Sequence, residues 1–192
     1  MFPDLPIRGD GNTLLVIGEA PGGDEDLQGK GFVGRAGRTL HQLLEEHGLQ
    51  RGYDYGCANI LRCRPPGNRK PTREEIENCL PLLAQTLVHA KPRAILLVGA
   101  TPTAIFCGPG ALSARVEECL RGAAQLSQAH EGVRDEIAGI RLFAMPHTSP
   151  LAWNRNAPDG RKWSTIGGDI IARAAAFLRR GECPPSDTPG GQ

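Results

Sequence analysis

Four short apolar runs punctuate the chain at wide intervals: Leu14 to Ile17, Gly56 to Leu61, Ala94 to Val98 and Ile140 to Met145. None alternates with a period of two, so each reads as a strand buried on both faces rather than one with a wet side. The intervening polar stretches carry apolar residues at helical spacing. They predict helices over Thr39 to His47, Glu74 to Ala90, Thr101 to Phe106 and Ser164 to Arg180. The second of these opens with Thr72 followed three residues later by Glu75, the pattern of a capping box. Gly108 to Gly139 is harder to place, although Ser113 to Ser127 has helical composition. Strands alternating with helices predict an α/β fold, a three-layer α/β/α sandwich around a central, mainly parallel four-stranded sheet.

Length and composition narrow this picture. A chain of 192 residues suits one well-buried core, so residues 1–180 are expected to form a single domain. The last twelve, rich in proline and glycine, are expected to form a disordered tail (181–192). A formal net charge of +1 excludes a histone-like or arm-like nucleic-acid binder and requires any DNA-binding surface to be local. No apolar run approaches the ~18 residues of a membrane helix, and nothing at the start reads as a signal peptide. A cytoplasmic, monomeric protein with no membrane partner is the expectation.

The first strand runs into a loop crowded with glycines and acids, Gly18-Glu19-Ala20-Pro21-Gly22-Gly23-Asp24-Glu25-Asp26, which continues as Gly29-Lys30-Gly31-Phe32-Val33-Gly34-Arg35-Ala36-Gly37-Arg38. Glycines at the carboxyl end of a parallel strand let backbone N–H groups approach a ligand closely. No Gly-Lys-Ser/Thr follows, and the spacing does not fit G-x-G-x-x-G. Acids together with one aromatic ring, Phe32, suit a flat, neutral, hydrogen-bonding ligand better than a phosphate. A nucleobase is such a ligand.

On these residues the chain resembles the uracil-DNA glycosylase superfamily, most closely its family 4, whose first motif runs Gly-Glu-Ala-Pro-Gly, then Glu-Asp, then Gly-x-Pro-Phe-Val-Gly-x-Ala-Gly. Here Gly31 stands where the family has proline. Three further blocks resemble the family in order: Asn59 to Pro71, Ala94 to Thr101, and His147-Thr148-Ser149-Pro150-Leu151, with Thr148 replacing a common proline. The resemblance implies an enzyme that flips a base out of DNA and hydrolyses its N-glycosidic bond without a lyase step. A base outside the stack must be stacked again and read on its Watson–Crick edge. Phe32 is the candidate for stacking and Asn59, whose amide both donates and accepts, for reading the edge of uracil, with Ala20 and Gly31 beside them. Cleavage leaves negative charge on the base, so a donor is needed there, and His147 is the candidate. In family 1 an aspartate positions the water. The matching residue here is Ala20, which leaves Glu19 or Asp26 for that task, whereas Asp24 and Glu25 read as solvated loop charges. Arg64, Arg69 and Lys70 in one loop and Arg155 in another are candidate phosphate contacts. Leu151 matches the family 1 wedge, which Trp153 and Asn154 would enlarge.

Six cysteines at irregular spacings suggest free thiols or metal ligands rather than disulfides. The resemblance implies more: Cys63 and Cys79 match two of four family ligands to an iron–sulfur cluster. The other two come from a cysteine pair ahead of the first strand, and Met1 to Thr13 contains none. No cluster or other cofactor is therefore expected. Uracil in DNA is the default substrate. A glycine beside the stacking ring leaves open a hypermodified, C5-substituted base of foreign or phage DNA, and a binding module or covalent trap acting through His147 is a third reading.

Overall fold

Residues 1–180 are described by a computed structural model; the expected tail at 181–192 lies outside the described residues. At its centre four strands, β1 (Leu14–Gly18), β2 (Tyr55–Asn59), β3 (Ala94–Val98) and β4 (Arg141–Met145), pair in the order β2-β1-β3-β4. All three pairings are parallel, with Leu14 opposite both Tyr55 and Ala94, and Ala94 opposite Arg141. The first three strands are buried along their whole length, as expected of parallel strands covered on both faces.

The helices are α1 (Gly23–Gln28), α2 (Arg35–Glu46), α3 (Arg73–Ala90), α4 (Ala100–Cys107), α5 (Leu112–Arg121), α6 (Glu131–Arg134), α7 (Pro150–Trp153) and α8 (Trp163–Arg179). Helix α8 packs on β3, β4 and α2, whereas α3, α4, α5 and α6 contact one another and the strands as a second group. The sheet is thus flanked by helices, in the α/β arrangement expected. Thr72 caps α3 as its spacing predicts: its hydroxyl accepts from Glu75 N at 3.2 Å while the Glu75 carboxylate accepts from Thr72 N at 2.8 Å.

Three elements differ from the expected pattern. Helix α2 begins at Arg35 rather than Thr39, because Gly34 adopts the extended N-cap conformation and Gly37, a poor helix former, lies in the first turn. Helix α1 has no buried residue and therefore no apolar periodicity to betray it. Between Gly108 and Gly139, α5 ends at Gly122 in the left-handed conformation, and a 3-10 turn at Leu126–Gln128 and α6 follow.

The edge of β2 is not bare. Asp4 forms an antiparallel bridge with Cys57, exchanging backbone hydrogen bonds of 3.1 and 2.9 Å. A Cβ at Gly56 would lie 2.3 Å from Asp4 O, so glycine there is what allows the N-terminal segment to lie so close.

Candidate active site

From β1 the chain crosses to β2 on one side, and from β3 it crosses to β4 on the other. Such a reversal opens a crevice at the carboxyl ends of the two central strands, where ligands of open parallel sheets bind. A cavity of about 480 Å³ occupies that place. Glu19, Ala20, Phe32, Asn59, Arg69, Lys70 and His147 all line it. Residues more than 120 positions apart are thereby brought to one concavity.

The first loop is shaped by Glu25. Its carboxylate accepts from Gly22 N at 3.1 Å and from Gly34 N at 2.7 Å, closing the loop from both ends. Reading Glu25 as a solvated charge is therefore corrected, and the Gly22-x-x-Glu25 spacing of a capping box is the signal that would have found it. Phe32 follows with φ 59, a left-handed conformation that costs a non-glycine residue roughly 1 kcal/mol or more. Its ring approaches Gly18 so closely that a Cβ there would lie 2.8 Å from Phe32 Cζ and 2.5 Å from Asn59 Oδ1. Gly37 does the same for the backbone, since its Cβ would lie 2.2 Å from Phe32 O.

Asn59 ends β2 and is 8% exposed, with no hydrogen bond from its amide to any described residue. The residue lines the cavity, where its amide is open to the polar edge of a ligand. Glu19 accepts a hydrogen bond from the Thr101 hydroxyl at the start of α4, across the crevice. His147 follows β4, and its Nδ1 accepts from Ser149 N at 3.1 Å. That contact makes Nδ1 the lone-pair nitrogen of the neutral ring and leaves Nε2–H as the free donor. Burial holds the His147 pKa below its ordinary value, an effect Glu19 and Glu25 partly offset, so neutral pH favours this neutral form. The buried Thr148 hydroxyl donates to Ala36 O at 2.7 Å and ties the histidine loop to the first turn of α2.

The remaining expected residues lie elsewhere. Asp26 is exposed on α1 and does not line the cavity. Gly31 does not line it either; the space a Cβ would take there abuts Met1 Sδ at 3.5 Å and Asn59 Nδ2 at 4.0 Å, behind the cavity. Arg69, expected at a phosphate, is held by Glu75 through bonds of 2.6 and 2.8 Å. Arg64 is exposed and donates to Asn68 Oδ1, while Lys70 and Arg155 are exposed without an ion pair among the described residues. Leu151 is 74% exposed on α7. Trp153 is not part of a wedge with it: its ring lies over Gly167 of α8, where a Cβ would meet Cη2 at 2.4 Å. Asn154 closes α7 by donating to Pro150 O at 2.9 Å.

Cys63 is exposed and Cys79 half-buried, and among the described residues no three His, Cys, Asp or Glu side chains gather as a metal site. Cys57 is buried under the Asp4 bridge, and Cys107 and Cys119 face each other with sulfurs 3.5 Å apart. The residues present do not fit a four-thiolate cluster.

Burial, with help from the nearby Arg51 charge, also lowers the pKa of His41 in α2. Both histidines thus bind protons less readily folded than unfolded, and stability rises with pH through that window. It is fully present above the unfolded value of about 6.5 and is lost as pH falls toward the folded values. Thermal melts should show a lower Tm at pH 5.5 than at pH 7.5; equal values would contradict the burial of both rings.

Residues 8–166 match the sequence model of the family described as the uracil DNA glycosylase superfamily. The chain is 43% identical over 177 residues to the type-4 uracil-DNA glycosylase of Thermotoga maritima, an alignment covering 91% of this chain and 83% of that protein. It is 48% identical over 86 residues to the type-4 enzyme of Pyrobaculum aerophilum and 45% identical over 96 residues to that of Archaeoglobus fulgidus. Those alignments span less than half of either relative, 43% and 48%. A type-5 uracil-DNA glycosylase of Pyrobaculum aerophilum is 31% identical over 189 residues, covering 90% of this chain and 75% of the relative.

Proposed function

The chain belongs to the uracil-DNA glycosylase superfamily, and on that premise we propose that it is a monofunctional uracil-DNA glycosylase of base excision repair, acting as a cytoplasmic monomer on uracil-containing DNA. One observation carries this reading: a single cavity gathers Glu19 and Phe32 from the connection after β1, Asn59 from the end of β2 and His147 from the connection after β4. The flipped uracil stacks on Phe32, and the unpartnered Asn59 amide accepts from N3–H and donates to O4. Nε2–H of the neutral His147 donates to O2, where negative charge develops as the glycosidic bond lengthens. Glu19, oriented by Thr101, faces the positive sugar and positions the attacking water. Leu151, exposed beside the histidine loop, fills the gap left in the stack, while Lys70, Arg64 and Arg155 touch phosphates.

The alternative of an enlarged pocket for a C5-substituted base rested on Gly31, which lies off the cavity, so plain uracil is favoured. Incubation with duplexes bearing a single uracil, thymine or 5-hydroxymethyluracil tests this. Catalytic amounts of protein should release uracil over many turnovers and leave alkali-labile abasic sites. Release of a substituted base in preference to uracil, or a single stoichiometric burst, would refute the reading.

A further inference from the structure

The strained backbone of Phe32 persists only because something over-determines it, and the groups that do so lie behind the loop, outside the cavity. Arg51, in the turn that precedes β2, gives each of its nitrogens a different partner. Nε donates to Asp4 Oδ2, Nη1 to His41 Nε2 and Nη2 to Gly31 O, each at 2.7 Å. A guanidinium has no lone pair, so Nε2 of His41 must accept, and Nδ1–H then donates to the Tyr55 hydroxyl at 2.8 Å. The His41 ring stands edge-on to Phe32 with centroids 6.4 Å apart and is stacked on Tyr55 at 5.9 Å. Phe32 O lies 3.0 Å from the same Nε2. Without Arg51 the imidazole is free to switch tautomer and seize that carbonyl instead. Asp4 anchors the far side, since its Oδ1 accepts from Cys57 N at 3.0 Å.

We propose that Arg51 and His41 are positioning residues for the base-stacking ring, the guanidinium fork fixing the Gly31 carbonyl and the imidazole edge so that Phe32 presents its face to the cavity. The proposal rests on the glycosylase reading for its consequence and on the hydrogen bonds alone for its geometry. Lysine cannot replace the fork, because one ammonium head does not span Asp4, His41 and the Gly31 carbonyl in a plane.

The test compares Arg51→Lys, His41→Leu and His41→Gln in the full chain, by inhibition with free uracil, by kcat/KM on a uracil duplex and by Tm. A second set carries para-fluorophenylalanine for fluorine NMR, with the Phe32 signal assigned through Phe32→Tyr. Arg51→Lys keeps the charge opposite Asp4, so a purely structural anchor predicts little change. Positioning predicts that the uracil inhibition constant rises about tenfold in Arg51→Lys and His41→Leu, the scale of losing one stacked base. The Phe32 signal should shift in both, with Tm within a few degrees. His41→Gln, whose amide oxygen accepts from Arg51, should stay within about threefold of the parent protein. If Arg51→Lys does not fold, the two His41 variants decide. A Phe32 signal unmoved in the folded variants, or His41→Gln as impaired as His41→Leu, overturns the proposal. A parent protein indifferent to uracil would refute the glycosylase reading instead, and the NMR result does not depend on it.

Discussion

Replacing His147 with alanine should slow single-turnover release of uracil by about 10²-fold or more while leaving most of the DNA affinity in place. The donor Nε2–H contributes little to a neutral carbonyl in the ground state and most when that oxygen carries charge, and loss of one such donor typically costs about 10²–10³ in rate. The structure sharpens the expectation, because Ser149 N already occupies Nδ1 and only one nitrogen can serve. A useful companion is His147→Asn, whose shorter amide retains a donor and should recover part of the loss. Rapid-quench measurement under enzyme excess, paired with fluorescence anisotropy on an uncleavable duplex, separates the two quantities. Equal losses of rate and binding would make His147 a structural residue.

Gly18→Ala should be nearly as damaging, although it adds one methyl group to the end of a strand. That methyl would sit 2.5 Å from Asn59 Oδ1 and 2.8 Å from Phe32 Cζ, both side-chain atoms that can swing away without disturbing the sheet. The fold should survive, since replacing a strand glycine by alanine removes entropy from the unfolded chain. Base recognition should not, because the amide and the ring are displaced together. Losing one polar pair and one stack costs about 10²-fold in kcat/KM. Cleavage within threefold of the parent protein, with a normal melt, would show that these two groups do not hold the base.

The architecture could be read from the chain because parallel strands covered on both faces leave short, mainly apolar runs without a period of two, and the four runs locate the four strands to within a residue or two. Helix α3 announced itself through Thr72 and Glu75, whose reciprocal hydrogen bonds need only local spacing. The gathering of Phe32, Asn59 and His147 could be anticipated from motif order. Their supports could not. Thr101 meets Glu19 across 82 positions and Thr148 meets Ala36 across 112, and no local pattern encodes such contacts. Trp153 illustrates the opposite error: an aromatic in a polar loop suggests a partner surface, yet here the absence of a side chain at Gly167 creates its seat within the protein. Arg69 likewise looks free in sequence, while a helix-capping glutamate six residues away claims it.

The crossing directions of the chain have an evolutionary consequence. Every group assigned to the chemistry stands at a strand's last residue or on the connection beyond it, whereas what keeps the sheet folded lies within the strands and under the helices. Heritable change can therefore explore new substrates by editing the rim at less cost to folding than a change within the strands. A library confined to those connections would sample specificity with few casualties to misfolding, and one confined to the strands would do the reverse.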